Sequence, residues 1–279
     1  MNHLKLFSLF FLFSTYALSQ GSFVGQSWQS AKEKGSGKVS VVYYEGTGMV
    51  YKENGKMKGL CVDILNDFSS YVEKNHGVDL IIDYEKKESD WGKFLNTVQN
   101  SEGGVLGLSN VTITSKRKKV MDFTPPFISN PMIMLTHKSA PMIDNMKDLD
   151  ETYKGYSGIV VGGTTHVNYM KAMKAIHYKD LPIEYGDSPA EVMTKVSKNP
   201  KMFTVVDLTE YHYATTNKLE VKRQPVSVSD NREELGFIMP KGSDWTSIWN
   251  EFLTPEYKKG GRYREIVSKN LGAKFLALL

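Results

Sequence analysis

Residues 107–127 read GLSNVTITSKRKKVMDFTPPF, and this stretch decides the fold. It leaves a short apolar run, Val105 to Leu108, that reads as a strand. It then offers Thr112, Thr114 and Arg117, and closes on Asp122-Phe123-Thr124-Pro125-Pro126-Phe127. Upstream, the chain alternates between two periods. Val39 to Tyr44 is β-branched and aromatic, as a strand requires. Cys61 to Val72 places apolar residues at 61, 64, 65, 68 and 72, a helical spacing. Leu80 to Tyr84 reads as a second strand, and Trp91 to Gln99 as a helix with Phe94, Leu95 and Val98 on one face. Alternation of this kind implies a mostly parallel sheet flanked by helices.

Downstream the pattern repeats. Ile128 to Thr136 is strand-like, and Ile159 to Val161 is a short strand ended by Gly162-Gly163. Thr164 and Thr165 stand where they can cap a helix over 166–176. Pro189 to Val196 reads as a helix, Met202 to Val206 as a strand, and Val221 to Ser229 as an extended return. A strand at 236–239 and helices near 243–253 and 261–270 finish the chain. The expected architecture is α/β in two lobes. Lobe 1 is discontinuous, 38–128 plus 230–279, and lobe 2 is 129–229. Hinge crossovers near 129–137 and 221–229 join them, and a gap between lobes is a common place for a small ligand.

The chain has 279 residues, 41% apolar and 24% charged, which excludes disorder as a global description. Lys plus Arg is 35 and Asp plus Glu is 31, so the net charge is +4, too small and scattered to mark a nucleic-acid partner. Residues 1–19 read as a signal peptide, with Lys5, an apolar Leu6 to Phe13, and small residues at Ala17 and Ser19. That run is too short to span a bilayer, which needs about 20 residues. The expected location is periplasmic or secreted, without a lipid anchor, because no Cys lies near the cleavage site. The one cysteine, Cys61, sits in GLCVDILNDF and reads as a small buried hydrophobe.

Catalytic signatures are missing. The six His, at 3, 76, 137, 166, 177 and 212, show no metal-ligand spacing and read as scattered surface or loop residues. The sequence has no GxSxG, no Walker A and no GxGxxG after a strand. No catalytic residue, metal or cofactor is therefore assigned.

Thr112-Ile113-Thr114-Ser115-Lys116-Arg117 and Asp122 to Phe127 resemble the TxTxxR and (D/E)-F-(S/T)-x-P-(F/Y) runs of the extracellular solute-binding proteins, family 3, which serve amino-acid ABC transporters. Gly59-Leu60-Cys61-Val62-Asp63-Ile64-Leu65, Asp90 to Leu95, Gly163-Thr164-Thr165, and Val205-Val206-Asp207 with Tyr211 resemble that family's other segments in order, so the likeness runs over about 38–275. The chain departs from the pattern in three places, one of them the loop after the first strand, where Gly46-Thr47-Gly48 stands in place of the family's aromatic. Gly103 to Gly107 lacks the family's Asp, and Ser109-Asn110 replaces a small pair, so that the Asn110 side chain can reach a ligand or narrow the pocket.

The resemblance implies the type 2 periplasmic-binding-protein fold and an amino acid as ligand. Both charges of an amino acid need partners, since burying either unpaired is costly. By the resemblance, Arg117 takes the carboxylate through two parallel donors, helped by the N–H groups of Thr112 and Thr165 with Thr164 beside them at a helix start. Asp207 takes the ammonium, with the Asn110 carbonyl and the Thr112 hydroxyl. Trp91 and Tyr44 are candidate walls, with Glu45 beside them. Each has a plainer reading. Arg117 stands in a Lys-Arg-Lys-Lys run that alone reads as a solvated helix face; Asp207, Thr164 and Thr165 serve as caps, and Trp91, Tyr44 and Glu45 as ordinary packing or surface. The implied role is capture of an amino acid by a monomer and delivery to an ABC permease. A cyclohexadienyl-dehydratase-like enzyme, with Glu45, Asp207 or Glu210 as acid, or a sensory or partner-binding module, are the alternatives.

Overall fold

The alternation folds into two sheets wrapped by helices in a computed structural model that describes residues 23–229 and 232–276. The expected signal peptide, 1–19, lies outside the described residues. Among those described, no helix is long and apolar enough to cross a membrane.

In chain order the strands are β1 (Ser36–Tyr44), β2 (Tyr51–Glu53), β3 (Lys56–Lys58), β4 (Asp79–Glu88), β5 (Val105–Thr112), β6 (Met121–Phe123) and β7 (Ile128–Asn130). They continue with β8 (Met132–His137), β9 (Ser157–Val161), β10 (Ile183–Gly186), β11 (Met202–Asp207), β12 (Val221–Arg223) and β13 (Glu233–Pro240). The first sheet has the order β4-β1-β5-β13-β6, with β7 also on β13. The second has the order β10-β9-β11-β8-β12. β2 and β3 form a separate hairpin.

The mostly parallel expectation holds for three strands of each sheet, β4-β1-β5 and β10-β9-β11. It fails for the rest, because β13 runs antiparallel to β5, β6 and β7, and β8 antiparallel to β11 and β12. A parallel neighbour needs a long crossover, and the strands that arrive from the other lobe have none.

The single strand expected over 128–136 is two strands. Pro131 has no N–H to continue a ladder, and it separates β7 of the first sheet from β8 of the second. The extended return over 221–229 is regular only at β12. Gln224 is buried just beyond it, donating to Thr136 Oγ1 at 2.8 Å and accepting from Ile143 N at 3.1 Å.

The helix Leu60–His76 buries Leu60, Cys61, Ile64, Leu65, Phe68 and Val72 against the first sheet and ends at Gly77 in the left-handed region, φ 66. Gly59 before it has φ 119, and a Cβ there would lie 2.3 Å from the Met49 carbonyl oxygen, so glycine is required. Phe68 stacks on Trp249 at 3.8 Å, joining the C-terminal helices to this core. Cys61 is fully buried and burial pushes its thiol pKa up, as its reading as a hydrophobe expects.

Candidate functional site

The C-terminal ends of β5 and β11 face each other across the gap between the sheets. β5 ends on Asn110, Val111 and Thr112, and β11 ends on Asp207. After β5 the Thr114 hydroxyl accepts from Arg117 N at 3.1 Å and starts a one-turn helix, Ser115–Lys118. That turn leaves Lys116, Lys118 and Lys119 exposed and brings Arg117 inward. Its Nη1 donates to the Thr112 carbonyl at 2.9 Å, and its guanidinium carbon lies 5.6 Å from the centre of the Trp91 ring. Burial lowers the Arg117 pKa, against the charges of Glu233 and Asp207 that raise it.

The acidic side is a buried network. Asp207 Oδ1 accepts from Asn130 Nδ2 at 2.8 Å and lies 3.4 Å from His166 Nε2. Asp207 Oδ2 accepts from Asn110 Nδ2 at 2.8 Å, and the same amide donates to Glu210 Oε1 at 3.2 Å. Glu210 Oε2 turns back to accept from Asp207 N at 3.2 Å, at the start of the helix Leu208–Thr216. Burial alone would lower the His166 pKa, but the charges of Glu210 and Asp207 outweigh it and raise it to about 9. Burial raises Glu210 to about 7, with the His166 charge opposing.

His166, Asp207 and Glu210 each offer a ligand atom, all within 4.8 Å of one another, and so have the chemistry to hold a cation. Each carboxylate oxygen of the trio already accepts from a protein donor.

The capping role expected of Thr164 and Thr165 is not what the structure shows. Thr165 occupies the cap position of the helix His166–Ile176 with helical φ −64 and ψ −27, so its hydroxyl is turned away from the helix N–H groups. It donates instead to Glu233 Oε2 at 3.1 Å, and Thr164 donates to the Val161 carbonyl at 2.8 Å. Glu233, only 8% exposed, also accepts from Thr112 Oγ1 at 2.5 Å.

Trp91 and Tyr44 meet edge to face at 5.3 Å, and both pack on Phe94, so each serves the core and lines the gap. Among the described residues, two polar atoms at the gap are buried without a partner, Trp91 Nε1 and Thr209 Oγ1. Glu45 stands apart, ion-paired with Lys87.

The space between the sheets has two parts. A narrow one of about 20 Å³ is ringed by Trp91, Thr112, Arg117, Thr165, His166 and Asp207, room for roughly one water. A second of about 410 Å³ adjoins it through Tyr44, Asn110, Pro189 and Glu210, and reaches Glu45, Met49, Met193 and Tyr213.

The structure thus brings Arg117, Thr112, Asn110, Asp207, Thr164, Thr165, Trp91 and Tyr44 to one place and leaves Glu45 on the wall of the larger cavity. It corrects the reading of His166 as a scattered surface or loop residue, because His166 is buried inside this network. Its position directly after Gly163-Thr164-Thr165 was the available signal. Glu233 carried none, since it arrives from a strand far along the chain.

Among solved structures, a binding component of an ABC transporter from Wolinella succinogenes complexed with lysine superposes with TM-score 0.68 at 20% identity, over 86% of this chain and 98% of that one. An ancestral amino acid-binding protein that is a precursor of cyclohexadienyl dehydratase gives TM-score 0.66 at 23% identity, over 87% and 98%. Membrane-bound lytic murein transglycosylase F of Saccharophagus degradans is 22% identical over 252 residues, 88% of this chain and 47% of that protein. The chain spans about half or less of the curated relatives it matches. The family model of the bacterial extracellular solute-binding proteins, family 3, matches residues 40–273, and the chain, with its two sheets and the facing ends of β5 and β11, belongs to that family.

Proposed function

We propose that this chain captures a small zwitterion, an amino acid foremost, in the gap between its lobes, and delivers it to a membrane ABC permease. One observation carries the reading. A guanidinium on the first lobe, Arg117, faces buried carboxylates on the second, Asp207 and Glu210, across a gap that opens into a 410 Å³ cavity. Arg117, with the N–H groups of Thr112 and Thr165, receives the carboxylate. Asp207 receives the ammonium, and the side chain extends past Tyr44 and Asn110 into the larger cavity. A solute favours the closed form only through contacts to both lobes, and these two charges supply them. Closure turns on the crossovers near 129–137 and 221–229, between lobe 1 (38–128 plus 230–279) and lobe 2 (129–229). The protein acts as a monomer in the periplasm or outside the cell.

Calorimetry with a panel of amino acids tests this. Arg117→Ala should weaken binding by roughly 2–5 kcal/mol, because the carboxylate then faces buried acids with no partner. Unchanged affinity in that variant removes Arg117 from the site.

A second reading has its own support. Burial raises Glu210 to about 7, which suits a general acid at neutral pH. The ancestral neighbour is described as a precursor of cyclohexadienyl dehydratase. Formation of an aromatic product from prephenate or arogenate, abolished by Glu210→Gln, would replace transport with catalysis. No turnover of either compound removes the catalytic reading.

A further inference from the structure

Asn110 and Glu233 stand where the charged groups of a bound amino acid would stand. The Asn110 amide donates to Asp207 Oδ2 at 2.8 Å and to Glu210 Oε1 at 3.2 Å, the carboxylates that suit an ammonium. The Glu233 carboxylate accepts from Thr112 Oγ1 at 2.5 Å and from Thr165 Oγ1 at 3.1 Å, in the corner that suits an anion. The Asn110 contacts and the Thr165–Glu233 contact cross the gap, whereas Thr112 and Glu233 meet within the first sheet. Asn110 and Glu233 belong to β5 and β13 of the first sheet, whereas Asp207, Glu210 and Thr165 lie on the second lobe. The space left between them is about 20 Å³.

We infer that Asn110 and Glu233 form an internal stand-in for the solute, which lets the lobes close empty, and that a solute with an α-carboxylate binds by expelling the Glu233 carboxylate. The second half rests on the amino-acid reading above; the first does not. The physical reason is the proton count. Each threonine hydroxyl has one proton to donate, and here both are given to Glu233 Oε2. A second carboxylate finds those donors taken and a like charge beside it. An amine without a carboxylate needs only the place of the Asn110 amide and leaves Glu233 where it is. Arg117 makes one side-chain hydrogen bond among the described residues, to the Thr112 carbonyl, so its other donors can receive the newcomer. A site occupied by its own side chains binds more weakly in proportion to the fraction of time it is vacant.

Two measurements test the two halves. Spin labels at Lys74→Cys on the first lobe and Lys171→Cys on the second report closure, and the native Cys61 is fully buried and stays unlabelled. Without solute, the labelled parent should show the short distance of the closed form. Adding Asn110→Ala and Glu233→Gln should move the population to longer distances. An open parent, or a distance distribution that does not change, overturns the stand-in whether or not any solute binds. The second measurement compares lysine with cadaverine and arginine with agmatine by calorimetry. Glu233→Gln should tighten the amino acid by about tenfold and leave the amine within about threefold. Equal changes for both members of a pair overturn the expulsion of Glu233 while amino-acid binding stands. Failure of every amino acid and amine to bind parent or variant overturns the amino-acid reading, and the expulsion with it.

Discussion

In the first sheet β1 lies between β4 and β5, parallel to both, and β13 pairs antiparallel with the far side of β5; in the second, β9 lies between β10 and β11, and β8 pairs antiparallel with the far side of β11. β9 is followed directly by the helix His166–Ile176, and β1 by the helix Leu60–His76 after the β2-β3 hairpin. The fillings differ. The first core is built on aromatic rings, with Phe68 stacked on Trp249 and Phe127 on Phe237. The second is rich in thioethers, with Met132, Met134, Met170 and Met173 around Tyr153 and Phe203. Rings have few rotamers and fixed contact geometry, whereas methionine adapts to irregular gaps. The gap surfaces differ as well, with a cation from the first lobe and an acid network with a buried histidine from the second. One backbone plan thus supports a stiffer half that holds the guanidinium and a more adaptable half that carries the acids.

The sharpest way to break this comparison is to empty the aromatic core. Trp249→Ala should cost about 3–5 kcal/mol in denaturant unfolding, since the stack with Phe68 has no space to collapse into. A loss under about 1 kcal/mol would mean the first lobe is as adaptable as the second. Asp207→Ala comes next. It leaves His166 beside Glu210 alone and strips Asn130 Nδ2 of its acceptor, so unfolding free energy should fall by about 2–4 kcal/mol, and the His166 pKa should drop in an NMR titration. An unmoved His166 would refute the electrostatic coupling.

The acid network also gives stability a sign with pH. Folded Glu210 keeps its proton to about 7, above an ordinary carboxyl, and folded His166 keeps its proton to about 9, above an ordinary imidazole. In both cases the folded state holds a proton that the unfolded chain has released. Stability should therefore fall as pH rises from about 5 to about 9, most of it through these two groups. The His166→Asn variant should flatten the upper half of that fall. A wild-type profile that rises over this range contradicts the assignment. Smallest of all, Met170→Leu in the second core should cost less than about 1.5 kcal/mol, because volume is nearly conserved among neighbours that can adjust. A loss as large as that of Trp249→Ala would erase the contrast between the lobes.

Much of the site was legible because it is local. Thr114 caps the turn that aims Arg117, and both lie in one short stretch, so chemistry and geometry share a few consecutive residues. Asp207 was legible as the polar end of an apolar strand. Of the two readings of Thr165, the cap fails, because a carboxylate from β13 takes the hydroxyl that a threonine before a helix usually turns to the helix N–H groups. Tyr44 and Trp91 read equally well as core or wall, and they are both.

The periodicity of strands and helices, the turn that presents Arg117 and the acid at the end of β11 follow from local sequence, because each depends on neighbours a few positions away. Burial of His166 against Asp207 and Glu210, and the arrival of Glu233 between two threonines on opposite lobes, do not. They depend on β13 pairing with β5 and with β7, where Glu233 lies opposite Asn130, and on the ends of β5 and β11 coming together across the gap. Long-range register leaves no periodic trace in the segments it joins, so the residues that fill the gap became visible only when the lobes were put together.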